Sequence, residues 1–288
     1  MKRYEVLASN FVRSLDGVNI SPSKVFRINK DGKKVPNKRL KIYRLVSFEI
    51  NYLSLSYSKQ TVKNIIGFYN KYLSINNLDT VGELFKYLYM SKYIEIAKEY
   101  KESLEHRTNN AILVRGGSEI IEMAVNFISS YDYKKISIGL AVLTGRRMAE
   151  ILYTGKFDIV DNSHVFFTGQ LKQNDNQGYE IPVLCDANLI IKALSNLRVL
   201  RSYKSIKNVN EKESGYLNKE VKKHFDKYSK GLSMHDLRRF YAYVCYHYNF
   251  HSEAKAENRQ TFDGYTKQIL GHKILKSGES YKVLEVEM

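Results

Sequence analysis

The chain has 288 residues, with 46 Lys and Arg against 30 Asp and Glu, a formal net charge of +16. That excess points to a polyanionic partner, nucleic acid before an anionic membrane surface, and the length allows one large or two modest domains with real cores. No apolar run approaches the ~18 residues that would span a bilayer, and no apolar leader opens the chain. The expectation is a soluble, intracellular protein, cytoplasmic or nucleoid-associated, with no membrane partner. Cys185 and Cys245 lie far apart, in no CxxC or Cys/His grouping. They read as buried free thiols, and no metal site is expected.

Taken in order, the chain first becomes strongly basic. Arg27, Lys30, Lys33, Lys34, Lys38, Arg39, Lys41 and Arg44 are opposed only by Asp31. Gly32 and Pro36 interrupt the run, which favours a loop or arm over a helix; an arm on phosphates and a solvated loop both remain open. Leu45 to Tyr57 is apolar without a clean period. From Ser58, a reasonable N-cap, Val62, Ile65, Ile66, Tyr69 and Tyr72 recur at helical spacing. A second helical segment covers Val81 to Tyr100. These segments are expected to form a small all-helical domain ending near residue 103. The polar, glycine-containing strip 106–118 is the expected linker, and 119–288 a second domain.

Helical spacing resumes from Ile120 to Ile128, and an apolar run from Ile136 to Leu143 leads into Thr144-Gly145-Arg146-Arg147. Between Phe157 and Leu184 the period changes to two. Phe157/Ile159, Val165/Phe167 and Tyr179/Ile181/Val183 read as three short antiparallel strands, with Lys172 where the second runs into its turn. Asn188 to Val199 and the Leu217/Val221/Phe225 series read as helices. His235 and Arg238 stand at i and i+3 on a further helix, whose apolar face carries Leu237, Tyr241, Val244, Cys245 and Tyr248. After Tyr281, the alternation of Val283, Glu285 and Glu287 with Leu284, Val286 and Met288 suggests a strand, expected to dock on a neighbouring protomer. The fold class is therefore mostly α with a small antiparallel sheet.

These residues permit attack on a phosphodiester without a metal or any other cofactor. Arginine is planar and permanently charged, so Arg238 can grip two phosphate oxygens while Arg147 neutralises the developing phosphorane. A phenol ionises near pH 10 in isolation, and His235, His272 and the arginines are placed to activate one. Lys172 suits the proton donor that a departing 5′-oxygen needs. Each residue alone is unremarkable, since an Arg-Arg pair or one tyrosine among 23 is usually a surface feature. Their joint order carries the signal.

That order resembles the tyrosine recombinases. Thr144-Gly145-Arg146-Arg147-Met148-Ala149-Glu150 is similar to their first box, which selects Arg147, three before the acid, as catalytic. His235-Asp236-Leu237-Arg238 resembles their second box, Leu270-Gly271-His272 with Tyr281 nine positions later their third, and Lys172 their hairpin lysine. The wording of these boxes, with Phe167-Thr168-Gly169-Gln170-Leu171-Lys172 and Tyr179-Glu180-Ile181-Pro182, resembles the protelomerases, or telomere resolvases. The resemblance implies that residues 1–105 are a helical DNA-binding (core-binding) domain carrying the basic stretch. With a catalytic domain it would clamp double-stranded DNA at a palindromic or inverted-repeat site, as a homodimer or tetramer. It implies cleavage through a 3′-phosphotyrosine formed by Tyr281, with Arg147, Lys172, His235, Arg238 and His272 assisting. The outcome is hairpin ends, exchanged strands as in a phage integrase, or relaxation as in a type IB topoisomerase. It also assigns Glu150 to bracing Arg147, whereas the residues alone equally allow a helix cap or surface ion pair. Lys33, Lys34, Lys38, Arg39, Lys41, Arg44 and Arg146 are the expected DNA contacts.

Overall fold

The computed structural model describes residues 2–109, 111–171, 177–248, 260–271, 281 and 283–288, and within it the chain divides into two units, Met1–Glu105 and His106–Met288. Each unit builds its own hydrophobic core.

The first unit begins with helix α1 (Lys2–Arg13) and the short α2 (Pro22–Val25), followed by strands β1 (Phe26–Ile28) and β2 (Lys34–Pro36). Helices α3 (Lys41–Ser56), α4 (Lys59–Ile75) and α5 (Asp79–Asn109) follow. Ser58 caps α4 by accepting from the Thr61 N–H, as its position predicts. Phe11, Ile42, Val46, Leu53, Ile65, Tyr69 and Phe85 fill the core. The basic stretch is not a loose arm. β1 and β2 pair antiparallel from Phe26↔Pro36 to Ile28↔Lys34. Their turn is held by the Asn29 side-chain oxygen, which accepts from the N–H groups of Asp31 (3.0 Å) and Lys33 (2.8 Å). Gly32 supplies the positive φ of +73° that this turn needs. Lys33, Lys34, Lys38, Arg39, Lys41 and Arg44 are all exposed, although Lys34 pairs with Glu83 at 2.7 Å.

The second unit contains β3 (Ile112–Val114), α6 (Gly117–Ile128) and α7 (Tyr133–Thr144), then a π-helical turn, Glu150–Thr154. Strands β4 (Lys156–Ile159), β5 (His164–Thr168) and β6 (Tyr179–Pro182) come next. Helices α8 (Ala187–Leu200), α9 (Ile206–Phe225), α10 (Met234–His247) and α11 (Phe262–Leu270) lead to the last strand, β7 (Leu284–Val286). The strip around 106–118 thus holds the end of α5, β3 and the start of α6. Helix α7 is buried continuously from Ile136 to Thr144 and packs against α6, α8 and α10. An all-round apolar helix belongs at the centre of a core, where each Leu or Ile contributes about 1.5–3 kcal/mol by burial. The period-two region forms the antiparallel sheet β4-β5-β6, with Phe157↔Phe167 and Phe167↔Tyr179 in register. Val165, Phe167 and Ile181 are turned to the core.

The final strand finds a partner within the chain: β7 pairs in parallel with β3 of its own unit, from Ile112↔Leu284 to Val114↔Val286. The Gly117 N–H donates to the Glu287 carbonyl (2.8 Å) and the Tyr248 hydroxyl to the Val286 carbonyl (2.8 Å), fastening the strand to α6 and α10.

Candidate active site

The site starts where α7 stops. Gly145 takes the left-handed conformation (φ +63°), and a Cβ there would stand 2.1 Å from the Tyr241 ring, so both the turn and the close packing require glycine. The chain then sends two adjacent arginines in opposite directions.

Arg146 turns inward and has no exposed surface. Its Nε donates to the Thr144 carbonyl (3.0 Å), Nη1 to the Tyr179 hydroxyl (2.6 Å) and Nη2 to the Ile269 carbonyl (2.6 Å). The guanidinium also lies 4.8 Å over the Phe167 ring centroid. With no exposed surface and no part in lining the open cavity beside Arg147, Arg146 has nothing to offer a phosphate. The expectation that Arg146 contacts DNA is corrected: it pins α11 and β6 to the end of α7.

Arg147 turns outward, its side chain 23% exposed. Its Nη1 donates to Glu150 Oε1 (2.7 Å) and its backbone N–H to Glu150 Oε2 (2.9 Å). Glu150 Oε1 also accepts from the Leu171 N–H (3.1 Å), and Oε2 lies 4.0 Å from Arg238 Nη1. Burial pushes the Glu150 carboxyl up, but Arg238, Arg146 and Arg147 together hold it below the usual carboxylate range. One buried anion therefore holds Arg147 directly and lies in the field of Arg238 and Arg146, and the surface ion-pair alternative for Glu150 does not hold.

Arg238 comes from α10. The Ser233 N–H and hydroxyl both donate to Asp236 Oδ2 (3.0 and 2.6 Å), and the Met234 N–H donates to Asn218 on α9 (2.9 Å), which fixes the start of that helix. One turn in, Arg238 donates through Nη1 to the Gly145 carbonyl (2.5 Å), Nη2 to the Leu270 carbonyl (2.8 Å) and Nε to the Tyr281 hydroxyl (3.1 Å). The conformation of Gly271, left-handed at φ +62°, ends α11 so that its last carbonyls meet these cations. Gln170 Nε2 closes the same end by donating to the carbonyls of Leu270 (3.0 Å) and Gly271 (2.7 Å).

His235 lies at the mouth of an open cavity of about 330 Å³ that Arg147 and Arg238 also line. Its ring centroid is 6.1 Å from that of Tyr281. Partial desolvation of the ring, then the charges of Arg239 and Arg238, push its pKa down to about 4, so the imidazole is neutral near pH 7. The structure thus unites Arg147, Glu150, His235, Arg238 and Tyr281. Lys172 and His272 lie outside the described residues. Lys33, Lys34, Lys38, Arg39, Lys41 and Arg44 belong to the first unit. Asn218 and Gln170, which position this machinery through backbone groups, carry no spacing signal that would single them out in the sequence.

Comparison with known proteins gives concordant findings. The family model described as the telomere resolvase ResT/TelK catalytic domain matches residues 110–282. The protelomerase of Klebsiella oxytoca phage phiKO2 is 26% identical over 228 residues, covering 69% of this chain and 35% of that protein. The protelomerase of Yersinia phage PY54 is 30% identical over 155 residues, covering 48% of this chain and 24% of its own length. The chain therefore spans about a quarter to a third of these relatives. A solved protelomerase TelA mutant complexed with DNA hairpin product is similar in fold, with a TM-score of 0.72 at 20% identity, over 99% of this chain and 88% of that one. Protelomerase TelK complexed with substrate DNA has a TM-score of 0.59 at 20% identity, over 100% of this chain and 59% of that one.

Proposed function

Because the chain belongs to the telomere resolvase ResT/TelK catalytic-domain family, we propose that it breaks and rejoins double-stranded DNA through Tyr281 and reseals the cut ends as hairpins. The observation that carries the reading is the Arg238 Nε–Tyr281 hydroxyl bond (3.1 Å), beside a cavity lined by Arg147, His235 and Arg238.

The chemistry runs as follows. A phosphodiester enters against Arg147, which has donors left over after its bond to Glu150, and against the remaining N–H groups of Arg238. The Tyr281 oxygen attacks phosphorus; the bond to the 5′-oxygen breaks, and that oxygen takes its electron pair and a proton from Lys172. His235, neutral in the free protein, has a lone pair to receive the phenol proton. The two guanidinium groups offset the charge that builds on the phosphorane, an electrostatic role in which one missing donor costs about 3–4 kcal/mol. The 3′-phosphotyrosyl linkage keeps the bond energy, so a 5′-hydroxyl can attack it without ATP. When that hydroxyl belongs to the opposite strand of the same end, the product is a hairpin. The exposed cations Lys33, Lys38, Arg39, Lys41 and Arg44 supply phosphate contacts elsewhere on an inverted-repeat site, with the protein acting as a homodimer or tetramer in the cytoplasm. No helix among the described residues is long and apolar enough to cross a membrane.

Strand exchange between two duplexes is the second reading, favoured by His235, which stands where conventional integrases carry histidine. The test is to incubate the protein with replicon-end DNA from its own source and separate the products on a denaturing gel. Snap-back strands of doubled length support telomere resolution. Joined heterologous strands support exchange, and relaxation of any supercoiled plasmid supports a topoisomerase.

A further inference from the structure

The cavity beside the proposed nucleophile has a wall that the reaction above leaves unused. Besides the cations, the cavity is lined by Asn210, Ser214 and Asn218 of α9, spaced i, i+4 and i+8 on one helical stripe. All three are uncharged hydrogen-bonding side chains, on a helix otherwise rich in Lys and Glu. Asn218 is committed to the Met234 N–H, which ties the stripe to the start of α10, the helix that carries His235 and Arg238. Asn210 and Ser214 are exposed to the cavity. Apolar groups, Met148, Leu171 and Met234, line the same cavity. The space is about 330 Å³, the scale of one small-molecule-sized group.

Charge, polarizable apolar surface and neutral amide and hydroxyl groups gathered in one cavity match the parts of a nucleotide. The phosphate wants guanidinium, the flat base wants methionine and leucine, and its edge wants an amide that both donates and accepts. We infer that the α9 wall is a specificity and positioning element, in which Asn210 and Ser214 hydrogen-bond the nucleotide adjoining the scissile phosphate and select its base. The inference rests on the proposed cleavage reaction and extends it to the strand that must be held while the phosphate is attacked. Neutral contacts release no counterions. They are therefore distinguishable from lysine and arginine contacts, since they alter preference and rate without altering the salt dependence of binding.

The experiment uses the full chain and a library of inverted-repeat duplexes randomised around the centre. SDS-stable protein–DNA adducts are recovered and sequenced for the wild type and for Asn210→Ala, Ser214→Ala and the double variant. Alanine is the best helix former, so these exposed substitutions leave α9 intact, and unchanged circular dichroism verifies it. The expected result is a base preference next to the cleaved phosphate in wild-type adducts, reduced at least about tenfold in the double variant. The slope of binding against salt should not change. Adducts from the variants with undiminished preference, or wild-type adducts with none, overturn the inference while leaving the cleavage reaction standing. No adduct from the wild type on any duplex overturns the reaction itself, and the inference with it.

Discussion

The two units use positive charge in opposite ways. In Met1–Glu105 the cations of the hairpin and early α3 sit on the surface, where any one of them is a small, screened contribution to binding a polyanion. In His106–Met288 the decisive cations are buried: Arg146 has no exposed surface and Arg238 only 1%. Each is held by three directed hydrogen bonds. Surface charge works by number and distance, whereas buried charge works by position, because a low-dielectric setting makes each unmade contact expensive. The contrast predicts graded, salt-sensitive effects in one unit and near-total losses in the other.

The largest effects should come from the buried set. Arg238→Ala removes both the phosphate donor and the group that holds the Tyr281 hydroxyl. Single-turnover cleavage should slow by about 3 kcal/mol or more, a hundredfold or beyond. Arg238→Lys should not restore it, since one ammonium cannot reach two carbonyls and a phenol together. Near-wild-type cleavage by either variant would remove Arg238 from the reaction.

Arg146→Ala tests whether its neighbour is structural. It leaves the Ile269 carbonyl and Tyr179 hydroxyl without their donor and takes one cation away from Glu150. Urea unfolding of the second unit should show a loss of about 3–5 kcal/mol. Unchanged stability with weakened DNA binding would restore the surface role first expected for this residue.

Smaller effects should follow from Lys33→Ala, Lys38→Ala and Arg39→Ala. Each should lower the log–log salt slope of DNA binding by about 0.9 if it touches one phosphate. The cleavage rate at saturating DNA should stay constant. A rate defect at saturation would mean that the surface charges take part in the chemistry and would dissolve the contrast.

The smallest is a pH effect. His235 has its pKa pushed from the ordinary 6.5 down to about 4 in the folded protein, so its neutral form is favoured on folding. Its contribution to stability is present above pH 6.5 and is lost as pH falls towards 4. The direction is fixed by partial desolvation and by Arg239 and Arg238, and because the ring also meets water the loss should be modest. A bound phosphate would offset those arginines, so the imidazole resonance should titrate at higher pH with DNA than without. A histidine that titrates at or above 6.5 in the free protein would contradict this.

Much of the second unit was readable from the chain because its signals are local. Alternating apolar residues gave β4, β5 and β6, whereas Arg147 was picked over Arg146 by the resemblance of residues 144–150 to the first box of the tyrosine recombinases. The destination of Arg146 was not readable, because arginine is seldom buried and its three acceptors come from positions 144, 179 and 269. Helix α3 was obscured for another reason. Its buried face, Ile42, Val46, Ile50 and Leu53, has clean spacing, but Phe48 (71% exposed) and Leu55 (90%) stand on the other face and blur the period. The basic stretch looked like an arm since Gly32 breaks a helix, yet the same glycine makes the turn of a hairpin. For β7 the strand character was local and the partner was not: β3 lies at the other end of the unit.

The central claim is that one phenol, placed by Arg238, makes the covalent bond to DNA. Its most direct test is to trap the protein–DNA adduct, digest it and locate the modified residue by mass spectrometry, alongside Tyr281→Phe. The account predicts a phosphonucleotide on Tyr281 and no adduct from the phenylalanine variant despite normal DNA binding. A modified tyrosine elsewhere, or an adduct that survives the substitution, would contradict it.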